Sequence, residues 1–218
     1  MRKLIRDASR EQSRGEEVAN SISHGITFIA MSVGTPYLIM NALHQGDVAE
    51  VIGKSVFAAT AILLYFSSAV YHGLIAGKAK RVFRVIEHSA IFFLIAGTYT
   101  PFTLGVLKGA WGWSIFTLVW SLVVIGVSLK VFEKQPHPVI SISLYLLMGW
   151  IMVVAAYPLF VKMPMEGLLL LVAGGLFYTV GVGFFITDSK LKYGHLMWHF
   201  FVMGGTACHY FAVLWYAG

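Results

Sequence analysis

Seven apolar stretches, each long enough to cross a bilayer, take up almost the whole of this 218-residue chain: 18–43, 51–75, 86–107, 111–131, 139–160, 167–186 and 195–216. A helix needs roughly 20 apolar residues to span the hydrocarbon, at about 1.5 Å of rise per residue. The stretches meet that length and leave no room for a soluble domain. The expected fold is therefore all-α: a polytopic membrane protein built as one seven-transmembrane-helix bundle, residues 18–218, preceded by a charged tail over 1–17. Composition agrees, with 58% hydrophobic and only 12% charged residues against about 25% charged in soluble domains.

The tail lacks an apolar core, so no cleaved signal peptide is expected. One cysteine, Cys208, excludes an intrachain disulfide and a CxxC metal site, so any metal must take N and O ligands. The net charge of +6 does not point to nucleic acid, because its distribution follows the spans. Thirteen of the 16 Lys and Arg fall in the tail, between spans 2 and 3, after span 4 and before span 7; only Lys54, Lys108 and Lys162 fall on the other side. Basic residues stay inside. The N-terminus is thus expected in the cytoplasm, the C-terminus outside, and the protein in the cell's inner (plasma) membrane as a multi-pass component.

That topology gives each polar residue a depth. The seventh span carries His195-Leu196-Met197-Trp198-His199, two imidazoles at i, i+4, which is how one helix face offers two nitrogens to a metal. The second span ends Ser68-Ala69-Val70-Tyr71-His72 at the same boundary, with Ser68 one turn, about 6 Å, deeper than His72. The third begins there with Glu87 and His88, and the first with Asn20, Ser23 and His24. Ionisable residues inside a membrane are costly and mark functional sites. Three histidines and a water or carboxylate make up an open zinc site. The ligands assigned are His72, His195 and His199. Glu87 and Ser68 are the candidate catalytic groups, and His24, His88, Asn20 and Ser23 are candidate supporting groups behind the ligands. A simpler role for Asn20 and Ser23 is to cap or hydrogen-bond the first helix. His209 lies 14 residues past His195, about 21 Å along the axis, too far to share the metal. His44 and His137 are expected in solvated loops. Pro36 and Pro101 should kink the first and third spans, with threonine hydroxyls near Pro101 able to bond freed carbonyls. Tyr71, Trp198 and Tyr193 fit an interfacial aromatic belt.

The ordered set Asn20-Ser21-Ile22-Ser23-His24-Gly25, Ser68-x3-His72, Glu87-His88-Ser89-Ala90-Ile91, Ile95 to Phe102, and His195-x3-His199 resembles the progestin and adipoQ receptor (PAQR) family, most closely its bacterial hemolysin III branch. The resemblance implies seven helices with the N-terminus inside and a zinc held by His72, His195 and His199. The family's acid on helix 3 is usually Asp; Glu87 is longer by one methylene, about 1.5 Å of reach. Relatives include adiponectin receptors, linked to ceramidase activity, and bacterial members tied to membrane lipid homeostasis.

Three functions compete. The first is a zinc-dependent hydrolase acting on the amide or ester of a membrane lipid or fatty-acyl substrate, with Glu87 accepting the water's proton and Ser68 positioning water or oxyanion. The second is a lipid sensor or receptor whose zinc is structural, its coordination closed by protein. The third is a cytolysin, disfavoured because a pore former must be soluble before insertion. Transport lacks a charge near the midplane to carry coupling ions, and a seventh span without lysine excludes a retinal Schiff base.

Overall fold

Ser13 and Glu16 start the first helix by capping each other: the serine hydroxyl accepts from the Glu16 amide, and the Glu16 carboxylate accepts from the Ser13 amide at 2.9 Å. Helix α1 (Arg14–Gln45) thus begins four residues before the first apolar stretch and takes residues 14–17 out of the expected tail. The computed structural model describes residues 10–132 and 138–218; residues 1–9 of the tail and His137 lie outside the described residues.

Gly46, at φ +75°, closes α1, and Asp47 caps α2 (Val48–Gly73) through the Ala49 amide at 2.8 Å. A two-residue turn therefore reverses the chain. There follow α3 (Lys78–Leu104), α4 (Ala110–Phe132) and α5 (Pro138–Trp150), then a 3-10 segment (Ile151–Ala155), α6 (Ala156–Lys162), α7 (Met165–Thr187) and α8 (Gly194–Tyr216). Among the described residues there is no strand. Among the described residues six units are long and apolar enough to cross a membrane: α1, α2, α3, α4, the α5–α6 unit and α7. Helix α8 matches them in length, at 23 residues, but carries three histidines.

The fifth expected span is a broken one. Pro158 cannot donate to the carbonyl of Val154 and its ring crowds that turn, and the chain tightens to 3-10 geometry over Ile151–Ala155 just before it. Tyr99 of α3 repairs the break: its hydroxyl lies 2.7 and 2.9 Å from the Met148 and Gly149 carbonyls and accepts from the Met152 amide at 2.9 Å. Around Pro101, the hydroxyls of Thr98, Thr100 and Thr103 bond the carbonyls of Leu94, Ala96 and Tyr99. They do not reach Gly97, whose carbonyl the proline leaves free.

Helix α3 is the hub, packed against α2, α4, α5 and α8, while α1 lies on α2 and α8, and α7 on α8 and α5. One apolar core joins α1, α2, α3 and α8 around Leu38, Phe57, Tyr65, Leu94 and Val213; a second joins α3, α4 and the α5–α6 unit around Phe92, Tyr99, Val119 and Met148. Polarity runs opposite to that of a soluble bundle. On α1, Glu16, Asn20, Ser23 and His24 are buried, while Ile22, Ile26, Ile29 and Val33 are 56–73% exposed. Apolar atoms outward and polar atoms inward suit a hydrocarbon solvent. Lys54, counted from sequence with the charges of one surface, sits inside α2, fully buried and 3.2 Å from Glu50, with Asn41 accepting at 2.8 Å.

Candidate metal centre

The antiparallel order brings the start of α1, the end of α2, the start of α3 and the start of α8 to one end of the bundle, and there the histidines meet. The rings of His72, His195 and His199 form a near-equilateral triangle, with centroids 5.0, 5.1 and 4.9 Å apart. One ligand atom from each of these three and one from Glu87 all lie within 4.8 Å of one another, a group that could hold a metal ion. Helix α8 offers its two rings because i, i+4 residues share a face; α2 brings His72 from the opposite side.

The hydrogen bonds fix how each imidazole is protonated. His72 Nδ1 is 2.7 Å from the Glu17 carboxylate and His195 Nδ1 is 2.9 Å from that of Asp188. An ionised carboxylate only accepts, so both Nδ1 atoms carry the proton. His199 Nδ1 is 2.9 Å from Ser23 Oγ, whose own hydroxyl donates to the Asn20 carbonyl at 2.8 Å. The serine must then accept from His199, whose Nδ1 is also protonated. In the neutral rings all three Nε2 atoms are then bare lone pairs, and all three are buried without a hydrogen-bond partner. A buried acceptor left without a partner costs about 1–3 kcal/mol. Three of them converging on one point, each ring held by a bond at Nδ1, fit a bound cation.

Glu87, 7% exposed, completes the group. Its Oε1 is 3.8 Å from His72 Nε2 and accepts from Ser68 Oγ at 3.0 Å; its Oε2 is 2.9 Å from His88 Nδ1. His88, half-buried, also donates from Nδ1 to the Arg84 carbonyl at 2.7 Å. Because Ser68 donates to Glu87, it accepts from His24 Nδ1 at 2.8 Å. His24 stacks on His199 with centroids 3.5 Å apart and planes 6° from parallel, its Nε2 buried and unpartnered.

Of the residues expected from sequence, His72, His195, His199, Glu87, Ser68, His24, His88 and Ser23 all gather here. Asn20 does not reach the ligands with its side chain, which donates to Gln12 Oε1 at 2.8 Å; it contributes its carbonyl to Ser23. Neither Asn20 nor Ser23 is a helix cap, since α1 starts at Arg14 and its cap is Ser13. His209 stays apart, its Nε2 bonded to the Leu171 carbonyl at 3.2 Å. His44 is not in a loop but in the last turn of α1, and exposed. Trp198, half-buried, lines an apolar cavity of about 100 Å³ that runs from Phe185 beside His195 to His209.

Two acids were missed. Glu17 escaped because the apolar pattern starts at residue 18, although it lies seven residues before His24 on the same helix face. Asp188 lies in a loop, and its only signal is an acid placed seven residues ahead of His195.

A family model described as haemolysin-III related matches residues 12–210. The Hemolysin-3 homolog of Bacillus subtilis (strain 168) is 40% identical over 201 residues, 92% of this chain and 94% of the relative. Hemolysin-3 of Bacillus cereus is 39% identical over 92% of this chain and 91% of its own. The human monocyte to macrophage differentiation factor is 28% identical over 91% of this chain and 83% of its own.

Proposed function

Because the chain belongs to the haemolysin III-related branch of the progestin and adipoQ receptor family, we propose that it is a seven-span protein of the cell's inner membrane in which His72, His195 and His199 hold a zinc ion and the site hydrolyses an amide or ester bond of a lipid at the cytoplasmic boundary, serving membrane lipid homeostasis. The observation that carries this reading is the set of three buried, unpartnered Nε2 lone pairs facing a carboxylate. Three neutral imidazoles and one oxygen are a zinc donor set.

Bound there, zinc would polarise the scissile carbonyl and make a water acidic near neutral pH. The protein's groups then have distinct tasks. Glu87 takes the proton from the attacking water as its oxygen bonds to the carbonyl carbon, and returns that proton to the leaving nitrogen or oxygen when the bond to carbon breaks. Ser68 lies between Glu87 and His24, so its hydroxyl can turn from Glu87 to the developing oxyanion while His24 still donates to it. His88, on the far oxygen of Glu87, keeps the near one facing the cluster. The apolar cavity starts at Phe185 beside His195 and would admit part of an acyl chain.

A second reading draws on one particular of the same geometry. Glu87 lies within the group of atoms that could hold the ion, so it could close the coordination and make the zinc structural, with the cavity serving a lipid sensor. A cytolytic role, suggested by the relatives' names, finds no support in a chain with polar groups inside and apolar ones outside.

The test is zinc content together with release of free fatty acid from ceramide-like and other acyl lipids, by purified protein in liposomes. The expectation is about one zinc per chain, lost from His72→Ala, His195→Ala and His199→Ala but kept in His209→Ala, and release by the wild type only. Zinc without release across a broad lipid panel replaces the hydrolase with the sensor. Equal zinc in the wild type and in a variant combining His72→Ala, His195→Ala and His199→Ala sinks both.

A further inference from the structure

Outside the ligand cluster, the most heavily bonded side chain at this end is Glu16. It is 2% exposed, and its carboxylate accepts five hydrogen bonds. Two come from the Arg10 guanidinium at 2.6 Å each, two from the amide and hydroxyl of Ser13 at 2.9 and 2.8 Å, and one from the Tyr193 amide at 2.7 Å. The last bond crosses from α1 to the start of α8, the helix packed beside it. Arg10 reaches across as well, to the Leu191 carbonyl at 3.3 Å.

Tyr193 is where these bonds have a mechanical consequence. Among the described residues it is the one non-glycine residue with positive φ, +59°, a region in which a Cβ crowds the carbonyl. It is also the residue from which α8 springs: its carbonyl accepts from the Met197 amide at 3.1 Å, and no side chain caps the helix. Its neighbour Gly194 packs so closely on the Asp188 backbone that a Cβ there would lie 2.9 Å from the Asp188 Cα. Asp188, the bend at Tyr193 and His195 are thus packed and hydrogen-bonded to one another. A strained residue persists only where its surroundings over-determine it, and here the surrounding that holds it is Glu16.

We propose that Glu16 is a positioning residue for the metal centre: by holding Tyr193 in the left-handed conformation it sets the angle at which α8 leaves the Asp188–Tyr193 loop, and so the placement of His195 and of its partner Asp188. The role rests on the metal reading above, but it concerns a residue that is neither a ligand nor a ligand's partner. It differs from simple capping of α1, because a cap acts on its own helix and this bond acts on α8.

Glycine adopts positive φ without strain, which supplies the discriminating variant. Full-length protein in detergent is loaded with cobalt(II), and its affinity is read by chelator competition and its geometry by the visible absorption of the bound ion. Glu16→Ala should weaken binding about tenfold, the low end of the range for groups that orient metal ligands, and alter the cobalt spectrum. Adding Tyr193→Gly should restore most of both, because the bend no longer needs to be held. Ser13→Ala, which removes the α1 cap and leaves the Glu16–Tyr193 bond, should change neither. Should Glu16→Ala fail to fold, Glu16→Gln keeps the size and one acceptor oxygen and gives the same comparison with a smaller shift. Affinity lost equally in the single and the double variant overturns the proposal, as does a Glu16 variant with wild-type affinity and spectrum. Amide exchange over residues 188–199 separates this failure from that of the metal reading. A wild type that binds no metal removes the centre and this role together, while faster exchange in the Glu16 variant still reports the loop's attachment to α1.

Discussion

A histidine becomes a metal ligand by virtue of the atom that occupies its other nitrogen. His72, His195 and His199 each spend Nδ1 on Glu17, Asp188 or Ser23 and present Nε2; His209 spends Nε2 on a carbonyl and stands alone. The spacing of His195 and His199, and the recurrence of polar residues at one depth, made the histidine cluster legible in the sequence. The partners were not, because a hydrogen bond between residues 17 and 72 leaves no trace in local pattern. Glu17 carries a further load, since its other oxygen accepts from Lys80 at 2.8 Å. Glu17→Gln should therefore weaken zinc binding by about 10- to 100-fold without unfolding the bundle, as read by chelator competition. Glu87→Gln should behave in the opposite way. It keeps much of the zinc and loses about 10²- to 10⁴-fold in lipid hydrolysis, the usual contribution of a proton-transfer group, while Glu87→Asp recovers a good part of the rate. Parallel loss of zinc and rate in Glu87→Gln would make Glu87 a ligand instead.

Helix existence followed from length and apolarity: each of the seven stretches lies mainly in helix, the second and third running two and three residues past Gly73 and Leu104 and the fifth interrupted by the 3-10 segment. Helix ends and breaks depended on subtler chemistry. The α1 start moved to Arg14 because Ser13 and Glu16 form a capping box inside what read as a charged tail. The fifth span read as continuous because Ile151 to Ala155 is apolar throughout, and only Pro158 hinted at the 3-10 turn before it. Close helix contacts are likewise written in glycine, but a glycine's weight depends on what faces it. At Gly53 of α2 a Cβ would stand 2.6 Å from the Pro101 Cα, backbone that cannot rotate away, whereas at Gly149 nothing lies within 4 Å. Gly53→Ala should destabilise the protein by about 1–3 kcal/mol, the usual range for overpacking, outweighing the ~1 kcal/mol by which alanine favours a helix over glycine. Gly149→Ala should be neutral or slightly stabilising. Thermal unfolding in detergent reads both, and equal midpoints for the two variants would show that α2 and α3 separate at little cost.

The whole molecule is organised by one asymmetry, in which basic charge and the histidine cluster share an end. Arg10, Arg14, Lys78, Lys80, Arg81, Arg84, Lys190 and Lys192 ring the end where the histidines meet. At the other end Lys108 is paired with Asp47 at 2.5 Å, and this contact draws the aspartate below its ordinary range and the lysine above it. Lys54 is buried with Glu50, which leaves that face with little basic charge to compete for the cytoplasm. The positive-inside rule counts lysines and arginines near the span ends, so both the surplus at the histidine end and the weak opposing set favour that end inside. The seven crossings proposed above would then put Gly218 outside. An alkaline phosphatase joined after Gly218 through a flexible linker should be active in the periplasm, and a fluorescent cytoplasmic reporter at the same point should be dark. The reverse result would mean that α8 does not cross, or that the bundle is inverted. Reporters placed after Gly109, in the α3–α4 turn, tell these apart. Phosphatase activity there keeps the histidine end in the cytoplasm with α8 not crossing, and its loss turns the metal centre, and any lipid it acts on, to the outer leaflet.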